Sequence, residues 1–502
     1  MRTPPAWIAA LAAGFVALTP TSAIYAAGAP TALDLNLPTL GSSADAELTP
    51  LQEYRFGERL MTQVRSDPTY MSDPEIGEYL NRLGYQLVSH TRSSTYNFFF
   101  FPIRDATLNA FALPGGFIAV HTGTIISAKN ESELAGVMSH EIGHVAQRHI
   151  ARMIEGQKGN LALTLGSILL AILAARAGGN SGGQAAAAVA MGSQAAMIQS
   201  QLNYSQDAER EADRTGLATL YAAGFDPKGL EGFFQRLQSN NRFYESAAPA
   251  YLSTHPMTIE RMADMENRTR QLPTRMHKDS DDFRLIQVRA QVLQETTYEG
   301  WRRVKAEFER QLKNAKQKDV CIYQYGISVA NGELGDKAGA YRAAKASAAC
   351  GIQSAVIDRN LIRTRFDAAS GAQEKLAALA QAKAALNKYP LSVMMAENYV
   401  DLLFALGRHQ EIIAYLENGK ALSDGNPDYH AMLARSYEAL GKKSLQYMHT
   451  GEMYAQLGAT EAAVYQYDLA QKANDGDFYT MSEIDARLRQ LRSQLADERK
   501  DR

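Results

Sequence analysis

A glycine recurs at a nearly constant interval in the C-terminal part of the chain. Gly335, Gly371, Gly407 and Gly441 are spaced 36, 36 and 34 residues apart, in a region rich in alanine and leucine with almost no strand pattern. A period of about 34 residues, with a glycine in the turn between two helices, is typical of tetratricopeptide repeats. We therefore predict an all-α solenoid over 284–502 whose concave face binds peptide segments. An unrelated helical bundle is the alternative.

The composition is that of an ordinary folded protein. The chain has 502 residues, of which 46% are hydrophobic and 21% are charged, and its formal net charge is −2. This length holds roughly three domains, and the balanced charge argues against nucleic-acid binding that depends on global positive charge. The two cysteines exclude a disulfide-dense scaffold and a zinc site made of cysteines alone. Cys321 and Cys350 fall on the two helices of one predicted repeat, where either a disulfide or two buried thiols fits the pattern.

The first residues have the pattern of a secretory signal. Arg2 precedes an apolar run from Ala6 to Leu18, and small residues follow up to Ala27. The run has about 13 residues, fewer than the ~20 that span a bilayer. We predict a cleaved signal peptide over 1–27, an extended leader over 28–50, and export to an oxidising compartment. An uncleaved N-terminal membrane anchor is the alternative.

Between the leader and the repeats, the pattern predicts a domain of helices with a few short strands. The predicted segments are helices within 52–87, a strand at 96–103, a hairpin at 110–120, and helices at 131–153 and 199–223. We assign 51–271 to this domain and 272–283 to a linker, which makes the whole chain α+β and mostly α. The apolar stretch at 159–200 fits a buried helix or a lid, with a hairpin that touches the membrane or a true membrane span as the alternatives. We expect peripheral membrane contact at most.

His140-Glu141-Ile142-Gly143-His144 places two histidines four residues apart on one predicted helix. At this spacing both imidazoles project from the same face, where they can bind one Zn²⁺. Glu141 is positioned to take a proton from a water that the ion activates. Because the pentapeptide also arises by chance, two solvated histidines on an ordinary helix are the alternative. His149, five residues after His144, is interpreted as a surface or packing residue.

A catalytic zinc site needs a third protein ligand, and no later histidine follows at the usual short spacing. Glu209 and Asp213 are four residues apart on a predicted helix about 65 residues downstream. Glu209 can bind the metal, while Asp213 can accept the free N–H of a ligand histidine and fix its tautomer. A solvated acidic helix face is the alternative interpretation.

Four segments resemble the gluzincin metallopeptidases of the HtpX and CAAX-prenyl-protease type. They are NAFALPGGFIAVHTG at 109–123, HEIGH at 140–144, SQDAEREAD at 205–213 and STHPMTIER at 253–261. The third segment departs from the family motif at Gln206, where arginine is usual. The resemblance implies one zinc ion held by His140, His144 and Glu209, with Asp213 orienting a ligand and Glu141 acting as the general base.

The resemblance also implies roles for residues around the metal. His255 would be either a fourth ligand that keeps the enzyme latent or a hydrogen-bond donor to the reaction's oxyanion, and a plain loop histidine is the alternative. Arg261 would contact a substrate carbonyl or brace its loop. An edge strand would bind an extended substrate through backbone hydrogen bonds, with a turn between core strands as the alternative. The residues of this predicted edge strand are Phe117, Ile118, Ala119, Val120 and His121.

With its export signal and C-terminal repeats, the chain is similar to periplasmic members of this family in Gram-negative bacteria. The resemblance implies a zinc endopeptidase whose clients are stalled or misfolded outer-membrane β-barrel proteins. Its partner would be the barrel assembly machinery, contacted through the repeats. The competing hypothesis is a repeat-based chaperone or assembly adaptor with a non-catalytic zinc ion. The glutamate beside the first histidine argues against that hypothesis, since a structural zinc site needs no base.

Overall fold

The computed structural model describes residues 48–91, 96–155, 206–243, 251–252, 255–418, 422 and 427–500. The predicted signal peptide, most of the predicted leader and the apolar stretch at 159–200 lie outside these residues. Among the helices that are described, none combines the length and the apolar character that a segment crossing a bilayer requires.

The described residues form twenty α-helices and one small sheet, which confirms the predicted α+β, mostly α class. The first part of the chain contains α1 (Pro50–Ser66), α2 (Pro74–Val88), β1 (Phe99–Ile103), β2 (Ala110–Leu113), β3 (Phe117–His121), α3 (Thr122–Ser127), α4 (Glu131–Ala146), α5 (His149–Glu155), α6 (Gln206–Ala222), α7 (Lys228–Phe243) and α8 (Ile259–Gln271). The second part contains α9 (Asp281–Gln294), α10 (Tyr298–Leu312), α11 (Gln317–Glu333), α12 (Lys337–Ala348), α13 (Ala355–Ala368), α14 (Ala372–Lys388), α15 (Val393–Ala405), α16 (His409–Asn418), α17 (Pro427–Ala439), α18 (Lys443–Gln456), α19 (Thr460–Ala473) and α20 (Phe478–Lys500).

The strand order in the sheet is β1-β3-β2, with β1 parallel and β2 antiparallel to β3. The predicted hairpin is present, and its turn contains Gly115 and Gly116 with φ of +81° and +96°, values that residues with a side chain rarely adopt. The prediction that Phe117–His121 is an edge strand is wrong. These residues form β3, whose backbone is already paired on both sides, so a substrate strand cannot add to it. Among the described strands, the edges of the sheet are β1 and β2.

Helix α4 carries the H-E-x-x-H motif through the interior. Asn130 caps it by accepting a hydrogen bond from the backbone N–H of Glu133, and nearly the whole helix is buried. The helix predicted over 131–153 is interrupted, because α4 ends at Ala146 and Arg148 has a positive φ of +54°. This left-handed residue redirects the chain, and α5 begins one residue later at His149.

One hydrophobic cluster extends across the predicted linker at 272–283. It includes buried residues from Met71 in the first part of the chain to Met394 in the second. The chain between α8 and α9 also binds the start of α4. Ser280 donates from its hydroxyl and its backbone N–H to the Glu131 carboxylate, at 2.6 and 2.8 Å. The first part of the chain is therefore joined to the helices that follow by a continuous core and by polar contacts.

Most consecutive helices of α9–α20 are joined by connections of a few residues, as the glycine period predicts, whereas nearly all of 419–426, between α16 and α17, lies outside the described residues. Gly335, Gly407 and Gly441 have φ of +79°, +67° and +72° in these turns, whereas Gly371 precedes α14 with a φ of −135°. The recurring glycines thus mostly stand where the chain needs a left-handed residue to reverse. A helical repeat region is present, and its assignment to the tetratricopeptide class stays a prediction.

Candidate metal centre

The two motif histidines on α4 point at one place in the protein interior. Both side chains are fully buried, and the Nε2 atoms of His140 and His144 are 3.0 Å apart. The spacing of four residues explains this convergence, because it stacks both side chains on one helix face. The solvated-helix alternative is therefore wrong for these two residues.

Helix α6 brings a carboxylate to the same place. Glu209 Oε2 lies 3.5 Å from His140 Nε2, and Glu209 Oε1 lies 3.4 Å from His144 Nε2. In a tetrahedral zinc site with bonds of about 2.0–2.1 Å, neighbouring ligand atoms are separated by about 3.3 Å. The two nitrogens and the carboxylate therefore have both the chemistry and the spacing that a zinc ion requires.

His255, in the segment before α8, completes a group of four potential ligands. One donor atom from each of His140, His144, Glu209 and His255 can be chosen so that all lie within 4.8 Å of one another, and all four residues are buried. The Nδ1 atom of His255 is 2.9 Å from Glu209 Oε1. Its ring stacks on Tyr251, with centroids 4.5 Å apart. Of the three interpretations of His255, the fourth ligand is the one that its position favours.

Asp213 and Arg261 support this group from the side of α6. His140 Nδ1 lies 3.0 Å from Asp213 Oδ1, so this carboxylate accepts the proton on Nδ1 and leaves Nε2 for the metal. Arg261 donates to both oxygens of Asp213 at 2.8 Å and lies 2.8 Å from Glu209 Oε2. It also donates to the carbonyl of Pro256 at 2.7 Å. Arg261 is therefore a brace that ties the His255 segment to the two acidic residues.

The charges of the site depend on one another. Burial raises the pKa of Glu209, but His255 and His144 outweigh burial and hold that pKa well below its usual range. Burial lowers the pKa of His140, but Asp213 and Glu209 outweigh it and raise that pKa to about 9. Burial dominates at His144 and lowers its pKa well below its usual value. In the absence of metal, His140 thus holds a proton that metal binding must displace.

Glu141 stands next to the four potential ligands. Its Oε1 atom is 3.6 Å from His255 Nε2. Both carboxylate oxygens are buried. Burial raises the pKa of Glu141, while the charges of His255 and His140 and the backbone of Ala112 on β2 partly oppose this effect. A carboxylate with a raised pKa beside a metal position is suited to accept and return a proton.

Of the two interpretations of His149, as a surface or a packing residue, the first is wrong, because the residue lies in the interior. The residue is 3% exposed, and its Nδ1 atom is 2.8 Å from His144 Nδ1. Its Nε2 atom is 3.1 Å from Glu211 Oε2, which also binds Arg152 at 2.6 Å. On an unbroken helix His149 would lie on a different face from His144, and the interruption at Arg148 places it beside the His144 ring instead.

Two other predicted groups lie away from the metal centre. His121, at the end of β3, contacts Thr107 Oγ1 at 3.1 Å and packs against the Phe111 ring. Cys321 on α11 and Cys350 just after α12 belong to the repeat part and have thiol side chains here. Burial and the neighbouring Cys321 raise the pKa of Cys350 to about 12. The two side chains therefore interact, and their oxidation to a disulfide stays a prediction.

Two imidazoles four residues apart, a carboxylate from a second helix and a glutamate next to the first histidine define a metallopeptidase centre of the H-E-x-x-H type. Comparison with known families agrees with this class. Residues 77–269 match the model of peptidase family M48. The matched segment contains all the site residues described above.

Similar proteins include β-barrel assembly-enhancing proteases. The putative enzyme of Vibrio cholerae is 40% identical over 259 residues, which cover 51% of this chain and 52% of that protein. The Escherichia coli K12 enzyme is 39% identical over 257 residues, covering 50% and 51%. Metalloprotease LoiP of E. coli K12 is 28% identical over 235 residues, covering 46% and 86%. The chain thus spans about half the length of the first two relatives.

Proposed function

We propose that this protein is a zinc-dependent endopeptidase of the periplasm that cleaves misfolded or stalled outer-membrane β-barrel proteins and assists their assembly. The observation that carries the proposal is the buried group of His140, His144 and Glu209, with Glu141 beside it. The compartment and the clients are proposed from the predicted signal peptide and from the named role of the similar proteases in β-barrel assembly.

The residues divide the chemistry among themselves. Zinc, when bound, supplies Lewis acidity that acidifies a water and polarises a peptide carbonyl. His140, His144 and Glu209 would hold the ion, and Asp213 would keep His140 in the tautomer that binds it. Glu141 takes the proton of the attacking water and returns it to the leaving amine. Arg261 acts through Asp213 and Glu209, as a positioning residue.

The substrate is proposed to add to β2, because β3 is the central strand of the sheet and is already paired on both sides. In the described part of the chain, the outer edge of β2 has no strand partner. Ala112 of β2 lies close enough to Glu141 for its backbone to affect the pKa of that carboxylate. A peptide hydrogen-bonded along this edge therefore passes the general base. Pairing of this kind recognises extended backbone more than sequence, which suits unfolded clients.

We further propose that His255 keeps the enzyme latent. With His140, His144 and Glu209 it would make a closed set of four ligands, whereas catalysis requires one position open for water. Displacement of the segment that carries His255 would open that position. A zinc site that is open only when a client engages the enzyme would limit damage to neighbouring proteins.

Partners are proposed for the repeat part of the chain. Helical repeats commonly bind peptide segments on their concave face, and we assign α9–α20 to recruitment of the client or of the barrel assembly machinery. Contact with the membrane would be peripheral at most. We assign no nucleic acid, since the net charge of −2 provides no general attraction for it.

A second candidate is an assembly chaperone whose zinc ion is structural. The closed four-ligand set favours it, because structural zinc sites are usually four-coordinate. The two candidates differ at Glu141, which a structural site does not need.

The test is Glu141→Gln. Because a positioned base contributes about 10²–10⁴-fold to such reactions, we expect cleavage of unfolded casein to fall by that factor. Zinc content should remain that of the parent, since Glu141 is not a ligand. The comparison is made in the wild-type and in the His255→Ala background, so that a blocked site cannot conceal the loss. A Glu141→Gln protein that cleaves casein at the parent rate would falsify the hydrolytic assignment.

A further inference from the structure

The second motif histidine, His144, is in contact with the buried His149, which in turn contacts the partly exposed Glu211. Neither of these two residues belongs to the ligand set or is the general base. We propose that His149 and Glu211 fix the tautomer and orientation of His144, so that its Nε2 atom is presented to the metal. The inference rests on the proposed zinc site and adds two positioning residues to it.

The backbone places His149 against the side of the His144 ring that faces away from the metal. Arg148 adopts φ of +54° directly after α4, and the reversal puts the first residue of α5 back beside the motif. The two Nδ1 atoms are 2.8 Å apart, and the ring centroids are separated by 4.8 Å at 75°. Both side chains are about 1% exposed or less. The contact is thus a buried hydrogen bond between two imidazoles.

Only one arrangement of protons is compatible with metal binding. Glu211, as a carboxylate, is an acceptor, so His149 Nε2 carries the proton between them. In a neutral ring, His149 Nδ1 then has a lone pair and accepts from His144 Nδ1–H. His144 must consequently have a lone pair on Nε2, the atom that faces Glu209 and His140. The chain Glu211–His149–His144 therefore selects the tautomer that a metal needs.

Glu211 is itself held in place from two sides. It extends from α6, the helix that carries Glu209, and Arg152 of α5 binds its Oε2 atom at 2.6 Å. One short stretch of α6 thus supports both histidines. Asp213 contacts His140 directly at 3.0 Å, and Glu211 reaches His144 through the intervening ring of His149.

The test compares two replacements of His149 in the full chain. His149→Phe keeps an aromatic ring but removes the acceptor, whereas His149→Asn places an amide oxygen near the position of Nδ1. Loss of such a partner weakens metal binding by about 10–100-fold. We therefore expect the zinc affinity of His149→Phe, measured by chelator competition, to fall by that factor. His149→Asn should recover most of the affinity. His90→Phe, at an exposed histidine of the same domain, is the control and should bind as the parent does.

Nitrogen NMR of histidine-labelled, metal-free protein provides a readout independent of activity. We expect the proton of His144 on Nδ1 in the parent and in His149→Asn, and a mixture of tautomers in His149→Phe. If His149→Phe is too unstable to be studied, the tautomer in the parent still decides, because a proton on Nε2 contradicts the proposal. Parent-like zinc affinity in a folded His149→Phe protein, or equal losses in both variants, would also overturn it. Zinc affinity is measured without substrate, so a negative result for His149 does not affect the conclusion from Glu141→Gln about hydrolysis. A negative result for Glu141→Gln likewise does not affect the conclusion about His149.

Discussion

At the scale of single residues, His255 has the most consequential position after the motif itself. It is 1% exposed and is in contact with Glu209, with its other ring nitrogen 3.6 Å from Glu141. Stacking on Tyr251 fixes the plane of its ring. The side chain thus lies where both a fourth ligand and a substrate carbonyl would have to be.

His255→Ala distinguishes these roles. If His255 is a fourth ligand, its removal opens one position for water, and casein cleavage should rise several-fold while zinc affinity falls. Cleavage rates and chelator competition measure the two effects. A donor to the oxyanion would give the opposite result for activity, with a loss of about 10²–10³-fold. The rise in casein cleavage must disappear in the double variant with His255→Ala and Glu141→Gln. A rise that persists there would come from a contaminating protease.

Residue-level prediction from the sequence succeeded where the spacing within one helix determines the geometry. The pairs His140 with His144, and Glu209 with Asp213, are each four residues apart, and a single regular helix makes both pairs converge. His149 could not be predicted in this way. Its contact depends on a left-handed backbone at Arg148, and arginine gives no signal for that conformation, as glycine or asparagine would.

At the scale of elements, the site depends on how closely α4 and α6 approach. A Cβ atom added at Gly143 would lie 2.9 Å from the carbonyl oxygen of Ala212, and one added at Gly216 would lie 3.0 Å from the backbone of His140. These two glycines therefore allow backbone-to-backbone contact between the helices that carry the ligands. Residues with larger side chains at these places would separate Glu209 from the histidine pair.

We predict that Gly143→Ala weakens zinc binding and destabilises the metal-free protein by about 1–3 kcal/mol, the usual cost of overpacking. Chelator competition and thermal unfolding measure the two effects. Gly77→Ala on α2 is the matched control, because beyond the backbone of its own helix and its chain neighbours no described atom lies within 4 Å of the added Cβ. There alanine should stabilise by up to about 1 kcal/mol through helix propensity. Similar behaviour of the two variants would show that close helix contact is unimportant.

The sheet illustrates the limit of prediction at this scale. The hairpin of β2 and β3 is readable because its glycine turn is local in sequence. The pairing of β1 with β3 is parallel and needs a crossover, so it depends on packing across many residues. That long-range pairing makes β3 the central strand and leaves β2 as an edge, which no local pattern indicates.

At the scale of the whole molecule, acidic residues at the start of α2 bind arginines of the repeat part. Arg289 lies 2.6 Å from Asp73 and 3.1 Å from Glu75. Arg359 reaches Glu75 at 2.5 Å, and Glu78 accepts from the first turn of α15. Together with the shared hydrophobic cluster, these ion pairs hold the part of the chain that carries the metal centre against α9–α15. The sequence predicts a linker at 272–283 and does not indicate this junction. Each of its charged residues has the sequence pattern of an ordinary surface charge.

Titration of Glu397 on α15, which lies near Arg359 of this junction, makes the stability of the protein depend on pH. Burial raises its pKa from 4.5 to about 7, partly opposed by Arg359, while Asp428 and Asp401 add to the effect. Between these values the native carboxyl keeps a proton that the unfolded chain releases. Its stabilising contribution is therefore present at low pH and is lost as the pH rises through about 7.

We predict that the thermal midpoint of the wild type falls relative to that of Glu397→Gln between about pH 5 and pH 8. The glutamine variant removes the titration while keeping the shape of the side chain. Thermal unfolding across the pH series measures the difference, and Glu333→Gln, at an exposed position of α11, is the control. Parallel curves for the wild type and Glu397→Gln would mean that Glu397 is ionised in the native state across this range.

The contact between Ser280 and Glu131 has a mechanical consequence. Glu131 is the first residue of the helix that carries both imidazoles, and Ser280 immediately precedes α9, the first helix of the repeats. A force applied to the repeat helices would be transmitted through the Ser280–Glu131 contact to the first residue of α4. Movement of α9 and the helices that follow it must therefore either break the Ser280–Glu131 hydrogen bonds or displace α4 as well.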